Sequence, residues 1–182
     1  MNLLSIFQQR HSIRKYTGAP IDDAALTQII QAGLLSASSR SIRPWEFIVV
    51  KDKDMLRHLS ECRTGAARML AGADAAIVVI ANAEASDVWI EDCSIAMANM
   101  HLMADSLGVG SCWIQGRLRT ATTADSGTAS VTTEDYVREC LDFPEGYKLE
   151  AILSLGMPAE EKTPAELSKL PFEKIHYEKL SV

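Results

Sequence analysis

The sequence is poor in cysteine and in aromatic residues, and it has no long apolar run. Its four cysteines are scattered, with no CxxC pair and no histidine at ligand spacing: Cys62, Cys93, Cys112 and Cys140. This pattern argues against a metal site and against a disulfide framework, so we interpret the cysteines as reduced thiols, mostly buried and without a catalytic role. The longest apolar run, residues 75–81, has the length of a strand and cannot span a bilayer.

No basic segment followed by an apolar core opens the chain, so the sequence predicts no signal peptide and a cytoplasmic protein without membrane contact. The net charge of −6 is uneven, because residues 1–60 hold eight Lys and Arg against five Asp and Glu, and the remainder holds ten against nineteen. An acidic chain with a basic head is not typical of a nucleic-acid binder, but it can bind a small anion. The length fits one globular domain, residues 1–182.

The densest functional pattern is the basic segment Arg10-His11-Ser12-Ile13-Arg14-Lys15-Tyr16, which follows a short apolar helix pattern. Two guanidinium groups and a hydroxyl within five residues suit a dianionic phosphate, since Arg donates in a fork and Ser adds a neutral hydrogen bond. The alternative is a solvated, charged junction between a helix and a loop.

Apolar periodicity predicts alternating helices and strands. Asp22 is a candidate N-cap, Thr132 opens a capping-box variant, and Gly108 can cap the C-terminus of the longest helix. The predicted helices are 22–37, 53–62, 88–107 and 132–141, and the predicted strands are 45–50, 75–81, 111–115 and 149–155. This alternation predicts an α/β fold, an α+β sandwich built on one sheet.

Two segments lack such periodicity. Residues 117–131 are polar and small, which predicts a mobile loop, and residues 159–182 contain Pro164 and Pro171, which predicts an extended arm. Ordering an arm of this length is unfavourable unless it packs on something. We therefore expect it to pack on a second copy of the chain, in a symmetric homodimer.

Four segments, in order along nearly the whole chain, resemble the nitroreductase family of FMN-dependent oxidoreductases. Residues 10–14 match the family's Arg-(Arg/His)-Ser-x-(Arg/Lys) signature. Residues 107–116, Leu-Gly-Val-Gly-Ser-Cys-Trp-Ile-Gln-Gly, closely resemble Leu-Gly-x-Gly-(Ser/Thr)-x-Trp-Ile-x-Gly and are the most specific match. Residues 38–45 resemble a Pro-Ser-x-x-Asn-x-Gln-Pro-Trp loop, although Ala37, Ser41 and Arg43 replace its Pro, Asn and Gln. Residues 155–161 and the tail to 178 resemble the family's ending.

The resemblance implies a nitroreductase-like fold, with a central mixed sheet flanked by helices, a C-terminal arm exchanged in a homodimer and FMN at the interface. It implies that Arg14 reaches the pyrimidine edge of the flavin and that a backbone N–H near Gly116 points at N5, so these are the implied catalytic positions. The implied cofactor-binding positions are Arg10, His11, Ser12, Arg14, Ser38, Ser39, Ser41, Ile114, Gln115, Gly116 and Lys169, with Lys162 as the alternative to Lys169.

The implied activity is hydride transfer from NADH or NADPH through flavin N5 to a small-molecule acceptor such as a nitroaromatic or quinone, with ping-pong kinetics. The alternatives are a flavin-binding sensor or carrier without turnover, and a reductive dehalogenase or flavin-degrading relative. Arg117 and Arg119 could select an anionic substrate or face solvent. His101 is interpreted as a structural histidine, and Met97, Met100 and Met103 as core residues.

Overall fold

A computed structural model describes residues 2–121 and 131–180. Its five helices are α1 (Leu3–Gln9), α2 (Asp23–Leu34), α3 (Lys53–Leu59), α4 (Trp89–Ser106) and α5 (Thr133–Leu141). Its four strands are β1 (Trp45–Val50), β2 (Ala75–Asn82), β3 (Gly110–Gln115) and β4 (Tyr147–Gly156). Single 3-10 turns occur at Ser39–Ser41, Arg68–Gly72, Leu167–Lys169 and Phe172–Lys174. None of the helices in the described ranges is long and apolar enough to cross a membrane.

The strands form one sheet in the order β1-β2-β4-β3, which leaves β3 at an edge. All three strand pairs are antiparallel, so the expectation of a mixed sheet is wrong for the four strands. Within residues 2–121 and 131–180, the parallel component is limited to a bridge between Ser12 and Ser111. Strand periodicity predicts where strands occur but not their direction, because direction depends on the path of the connections between them.

Helices cover both faces of the sheet. On one face α2 and α4 pack against alternate strand residues, including Ile77, Val79 and Leu153. On the other face α3, α5 and the turn at Arg68–Gly72 pack against residues that include Val78 and Ile152. Because both faces are covered, β2 is apolar along nearly its whole length, as the run at residues 75–81 indicated.

Helix α4 is the central scaffold of its layer. Met97 and Met100 are fully buried and Met103 packs against the same core, which confirms their interpretation as core residues. Gly108 follows the helix with φ of +73°, a left-handed conformation that favours glycine, and it ends the helix as predicted. Cys93 on α4 is buried and free, as are Cys62 and Cys112.

Two predicted helices are shorter in the structure. Helix α2 ends at Leu34 rather than near residue 37, because Ser36 Oγ donates to the Ala32 carbonyl at 2.8 Å and accepts from Asn99 Nδ2 of α4 at 2.8 Å. Helix α3 ends at Leu59 rather than at residue 62. The N-caps were predicted correctly, since the side chains of Asp22 and Thr132 accept from backbone amides in the first turns of α2 and α5.

The C-terminal segment, residues 159–180, contains two short 3-10 turns. Ala165 pairs with Gln8 of α1 through a backbone hydrogen bond of 2.8 Å, and residues 166–180 are exposed. Among them Phe172 is 61% exposed and Leu180 72% exposed. The predicted mobile loop at 117–131 falls largely outside the described residues.

Candidate functional site

The basic segment runs along the free edge of β3. The amide of Ile13 donates to the carbonyl of Ser111 at 2.9 Å, and the amide of Thr17 donates to the carbonyl of Met157 at 2.9 Å. Tyr16 fixes the segment between these bonds, because its hydroxyl lies 2.7 Å from Ser154 Oγ and donates to the Ile13 carbonyl at 2.9 Å. The segment is therefore an ordered part of the sheet edge, and the solvated-junction alternative does not describe it.

Two glycines allow this close approach. A Cβ on Gly110 would lie 2.8 Å from Ile13 Cγ2, and a Cβ on Gly156 would lie 2.6 Å from the Tyr16 ring. Separations this short do not occur at real Cβ atoms. The glycines of the strand ends thus let the basic segment lie directly on the sheet.

Arg10 is held by a histidine from the central helix. Its Nη1 lies 2.9 Å from His101 Nε2, and His101 Nδ1 is hydrogen-bonded to Ser111 Oγ. Arg can only donate, so Nε2 must be the unprotonated acceptor and Nδ1 must carry the proton. Burial lowers the pKa of His101 to about 4, and the positive charge of Arg10 acts in the same direction. His101 is therefore a neutral histidine in one defined tautomer at physiological pH.

A cleft of about 340 Å³ opens beside this group. Arg10, Ser12, His101 and Trp113 contribute its polar and aromatic lining, and Phe7 and Leu102 contribute apolar walls. Trp113 is oriented by its own hydrogen bond, because its Nε1 donates to Gln115 Oε1 at 2.9 Å. The cleft combines a fixed cation, a hydroxyl and a flat aromatic side chain.

The backbone of β3 supplies further donors at the same edge. Gly116 donates its amide to the Glu150 carbonyl at 3.1 Å, so that N–H is occupied within the sheet. Hydrogen bonding alternates along an edge strand of an antiparallel ladder, which directs the amides of Gln115 and Trp113 to the free side. The prediction that a backbone N–H near Gly116 is offered at this edge is therefore refined to Gln115. Gly116 serves packing, because a Cβ there would lie 2.5 Å from Leu149 Cδ2.

Arg14 has different contacts from Arg10. Its amide donates to Glu160 Oε1 at 2.7 Å, and its exposed side chain lies near the Cys112 thiol. The hydrogen bonds from Arg14 and Lys162 hold the pKa of Glu160 at about 2, well below its ordinary value. The two arginines of the segment therefore have different surroundings, since Arg10 is held by His101 and Arg14 is exposed beside the Cys112 thiol.

Comparison with known proteins decides the family. The Nitroreductase family model matches residues 7–62 and 55–157. The chain belongs to the nitroreductase family. A relative from Archaeoglobus fulgidus, named for NADH dehydrogenase and NAD(P)H nitroreductase activity, is 36% identical over 97% of each chain. An FMN-dependent nitroreductase from Clostridium difficile has a structure that superimposes with a TM-score of 0.90 at 43% identity, covering 97% of this chain and 99% of that one.

A second solved structure supports the same assignment. The protein from Parabacteroides distasonis, also named for NADH dehydrogenase and NAD(P)H nitroreductase activity, is 31% identical with a TM-score of 0.85, over 99% of this chain and 100% of that one. The family assignment covers the basic segment, the 38–45 loop and β3, and the matched region ends at residue 157, before the arm. This nitroreductase-family chain therefore carries its three strongest sequence motifs within the matched region.

In this nitroreductase-family chain, the loop at residues 38–45 does not contact Arg10. Ser39 donates its amide to Asp92 Oδ1 at 2.8 Å, near the start of α4, whereas Arg10 contacts His101 nine residues later. That interval is about 13 Å along the helix axis. Three non-glycine residues of the loop have left-handed φ, namely Arg40, Ser41 and Arg43 at 52–54°. Ser38, Ser39 and Ser41 are thus placed apart from the basic segment of their own chain.

The remaining predicted phosphate ligands are also separate from Arg10 within one chain. Lys169 lies on the exposed arm and pairs with Glu166 at 2.7 Å. The Nδ1 atom of His11 lies 2.6 Å from the Gln9 carbonyl. His11 lines a different cleft of about 250 Å³ with Asp105 and Lys162.

Arg117 and Arg119, the two arginines considered for an anionic substrate, line a cleft of about 650 Å³ beyond Gly116.

Sequence reasoning did not identify the buried acids of this nitroreductase-family chain, Asp92 and Glu150. Glu150 lies in β4 with 3% exposure, and burial raises its pKa. Its Oε1 accepts from Ser94 Oγ at 3.4 Å, and its Oε2 has no hydrogen-bond partner within residues 2–121 and 131–180. The only sequence signal was a charged residue inside an otherwise apolar strand pattern.

Glu150→Gln is expected to stabilise the protein at pH 8 by about 1 kcal/mol, because it removes a charge that is poorly satisfied in the fold. A raised folded pKa means that Glu150 contributes stability below its unfolded pKa and loses it as pH rises through the folded value. The difference in unfolding free energy between wild type and Glu150→Gln should therefore vanish near pH 4. Thermal unfolding at both pH values measures it, with exposed Glu145→Gln as the control. A variant equally stabilised at both pH values would contradict this account.

Proposed function

We propose that this chain is an FMN-dependent NAD(P)H oxidoreductase that reduces small oxidised acceptors such as nitroaromatics and quinones. The observation that carries the proposal is the cleft at the β3 edge, where Arg10 and Ser12 face the same space as Trp113. A fixed guanidinium and a hydroxyl suit a phosphate, and free strand amides suit the polar edge of a flat heterocycle. The residues present therefore fit FMN.

Each group would have a distinct task. Arg10 and Ser12 would bind the phosphate and ribityl end, and the amide of Gln115 would donate to the ring at N5. Arg14 would place positive charge at the pyrimidine edge, where negative charge develops during reduction. Bound FMN would supply the hydride chemistry, taking a hydride from NADH or NADPH and giving it to the acceptor. One shared cleft implies that donor and acceptor use it in turn, which is ping-pong behaviour.

Absorbance spectroscopy of the purified protein tests the proposal. We expect a bound-flavin spectrum that bleaches when NADH or NADPH is added without oxygen, and that returns on addition of a quinone or nitroaromatic. A flavin that stays yellow over minutes with both nicotinamides would support the carrier alternative. A protein that binds no FMN would overturn the cofactor assignment.

Arg14→Ala is expected to lower the rate of flavin reduction by about 100-fold, the usual effect of removing one charge-stabilising donor, while FMN affinity changes by less than about three-fold. Stopped-flow absorbance with the preferred nicotinamide gives the rate, and fluorescence titration gives the affinity. Arg57→Ala, an exposed arginine on α3 that pairs with Asp54, is the matched control. Equal losses in rate and affinity would contradict the separate role of Arg14.

We also propose that two copies form a homodimer through the arm. Apolar side chains are exposed on the arm, including Phe172 and Ile175, and on α1, including Leu3 and Phe7. A groove of about 280 Å³ between α1, α4 and the end of α2 is lined mainly by apolar residues, with Asn99 and Ser106 as its polar members. Exposed apolar surface of this extent is typical of a protein interface. In a dimer, Ser38, Ser39, Ser41 and Lys169 could reach the partner's cleft.

Light scattering is expected to give wild-type protein a mass of about twice 19.9 kDa, the mass of one chain. Phe172→Asp should shift the population toward monomer, because it places a charge where apolar contact is proposed. Lys174→Asp, two residues away and already polar, should remain dimeric. A monomeric wild-type protein would refute the dimer, and a dimeric Phe172→Asp variant would refute the contribution of this arm residue.

A further inference from the structure

We propose that His101 is a positioning residue that orients Arg10 for the FMN phosphate through the Arg10–His101–Ser111 hydrogen-bond chain. The inference rests on the proposed function, because it concerns how the phosphate-binding cation is held. It assigns a role at the cofactor site to a residue of the central helix that lies outside the basic segment.

The geometry identifies His101 as the group that fixes the guanidinium. His101 is 6% exposed and Ser111 2% exposed, so neither is free to reorient in water. Arg10 Nη1 donates to Nε2 at 2.9 Å, and the other ring nitrogen is bonded to Ser111 on β3. Because both ring nitrogens are engaged, the plane of the imidazole is set by the sheet. The guanidinium then has one donor directed inward, and its remaining donors are available to the cleft.

The charges around His101 favour this arrangement. A protonated imidazole would be a second cation against Arg10, with no acceptor left on the ring for it. Asp105 lies one turn further along α4. Burial raises its pKa, whereas the charges of Arg10 and His11 act in the opposite direction. Neutral His101 therefore provides an acceptor for Arg10 without placing a second charge beside the guanidinium.

A purely structural histidine would support α4 and β3 whether or not Arg10 were present. A positioning histidine affects FMN binding only through Arg10. The two roles therefore differ in their energetic coupling with Arg10, which a double-mutant cycle measures.

The experiment compares FMN dissociation constants, by flavin fluorescence at pH 7.5, for wild type, His101→Leu, Arg10→Ala and the double variant. We expect His101→Leu to weaken binding about 10-fold in the wild-type background and less than two-fold in the Arg10→Ala background. His101→Gln, which keeps an acceptor for the guanidinium, should bind within about three-fold of wild type. His58→Leu, at an exposed histidine of α3, is the control and should bind as wild type does.

Equal losses from His101→Leu in both backgrounds would overturn the inference, as would a His101→Gln variant as weak as His101→Leu. Wild-type protein that binds no FMN would overturn the proposed function and the inference together, which distinguishes the two failures. If the His101→Leu variant does not fold, nitrogen NMR of wild type and Arg10→Ala tests the inference instead, through the tautomer and the pKa of His101. The wild-type ring should carry its proton on Nδ1, and removing Arg10 should raise the pKa of His101. An unchanged pKa or the opposite tautomer would overturn the inference.

Discussion

Arg10→Ala is expected to raise the FMN dissociation constant by about 100-fold while the reduction rate of the flavin that remains bound changes by less than about three-fold. A hydrogen bond to a charged group contributes about 1.5–3 kcal/mol, and 2.7 kcal/mol corresponds to a factor of about 100. The loss should fall on binding because Arg10 would contact the phosphate, which takes no part in the redox change. The opposite split is expected for Arg14→Ala.

Fluorescence titration of apoprotein with FMN measures the Arg10 effect, and riboflavin provides an internal check. Riboflavin carries no phosphate, so Arg10→Ala should weaken riboflavin binding far less than FMN binding. Arg68→Ala, at an exposed arginine of a 3-10 turn, is the matched control. An equal loss for FMN and riboflavin would show that Arg10 does not recognise the phosphate, and an unchanged FMN affinity would remove Arg10 from the site.

Gly156→Ala is expected to destabilise the protein by about 2 kcal/mol, which for a chain of this length lowers Tm by roughly 4–8 °C. The added methyl would lie 2.6 Å from Cγ and Cδ1 of the Tyr16 ring and 3.0 Å from its Cβ. The ring cannot yield freely, because its hydroxyl is bonded to Ser154 Oγ and to the Ile13 carbonyl. Any shift of Tyr16 also moves the basic segment, so FMN affinity should fall with stability.

Differential scanning fluorimetry measures the stability change, and Gly146→Ala is the matched control, because a Cβ at Gly146 would meet nothing within 4 Å. Gly156→Ala in a Tyr16→Phe background separates the two causes. Without its hydroxyl the ring can move, so the penalty of the alanine should become smaller. A Gly156→Ala variant as stable as Gly146→Ala would show that the approach of Tyr16 to β4 is not tight in solution.

The elements of the fold could be predicted from the sequence because their signals are local. Asp22 and Thr132 cap helices as predicted, and Gly108 ends α4 in the conformation that glycine favours. The apolar run at residues 75–81 became a strand covered on both faces. Each of these signals depends on residues within one turn or one strand, so no knowledge of distant contacts was needed.

The motifs of the site were also readable, but their arrangement was not. Residues 10–14 and 107–116 were matched as separate segments, and the fold places them side by side through Ile13 and Ser111. Which amide of β3 is free depends on the register with β4, where Gln115 is opposite Ala151 and the next amide, that of Gly116, donates to the Glu150 carbonyl. Register is a property of two strands and cannot be deduced from one of them.

The sequence by itself determined the family, the order of helices and strands and the residues that could bind an anionic cofactor, because short motifs and periodicity encode them. Only the tertiary structure decided that the sheet is antiparallel, that His101 holds Arg10, and that Glu150 is buried beside the end of β3. These features join residues far apart in the chain, 91 positions for Arg10 and His101. Such contacts depend on how the packed elements fit together, and no local pattern of residues specifies them.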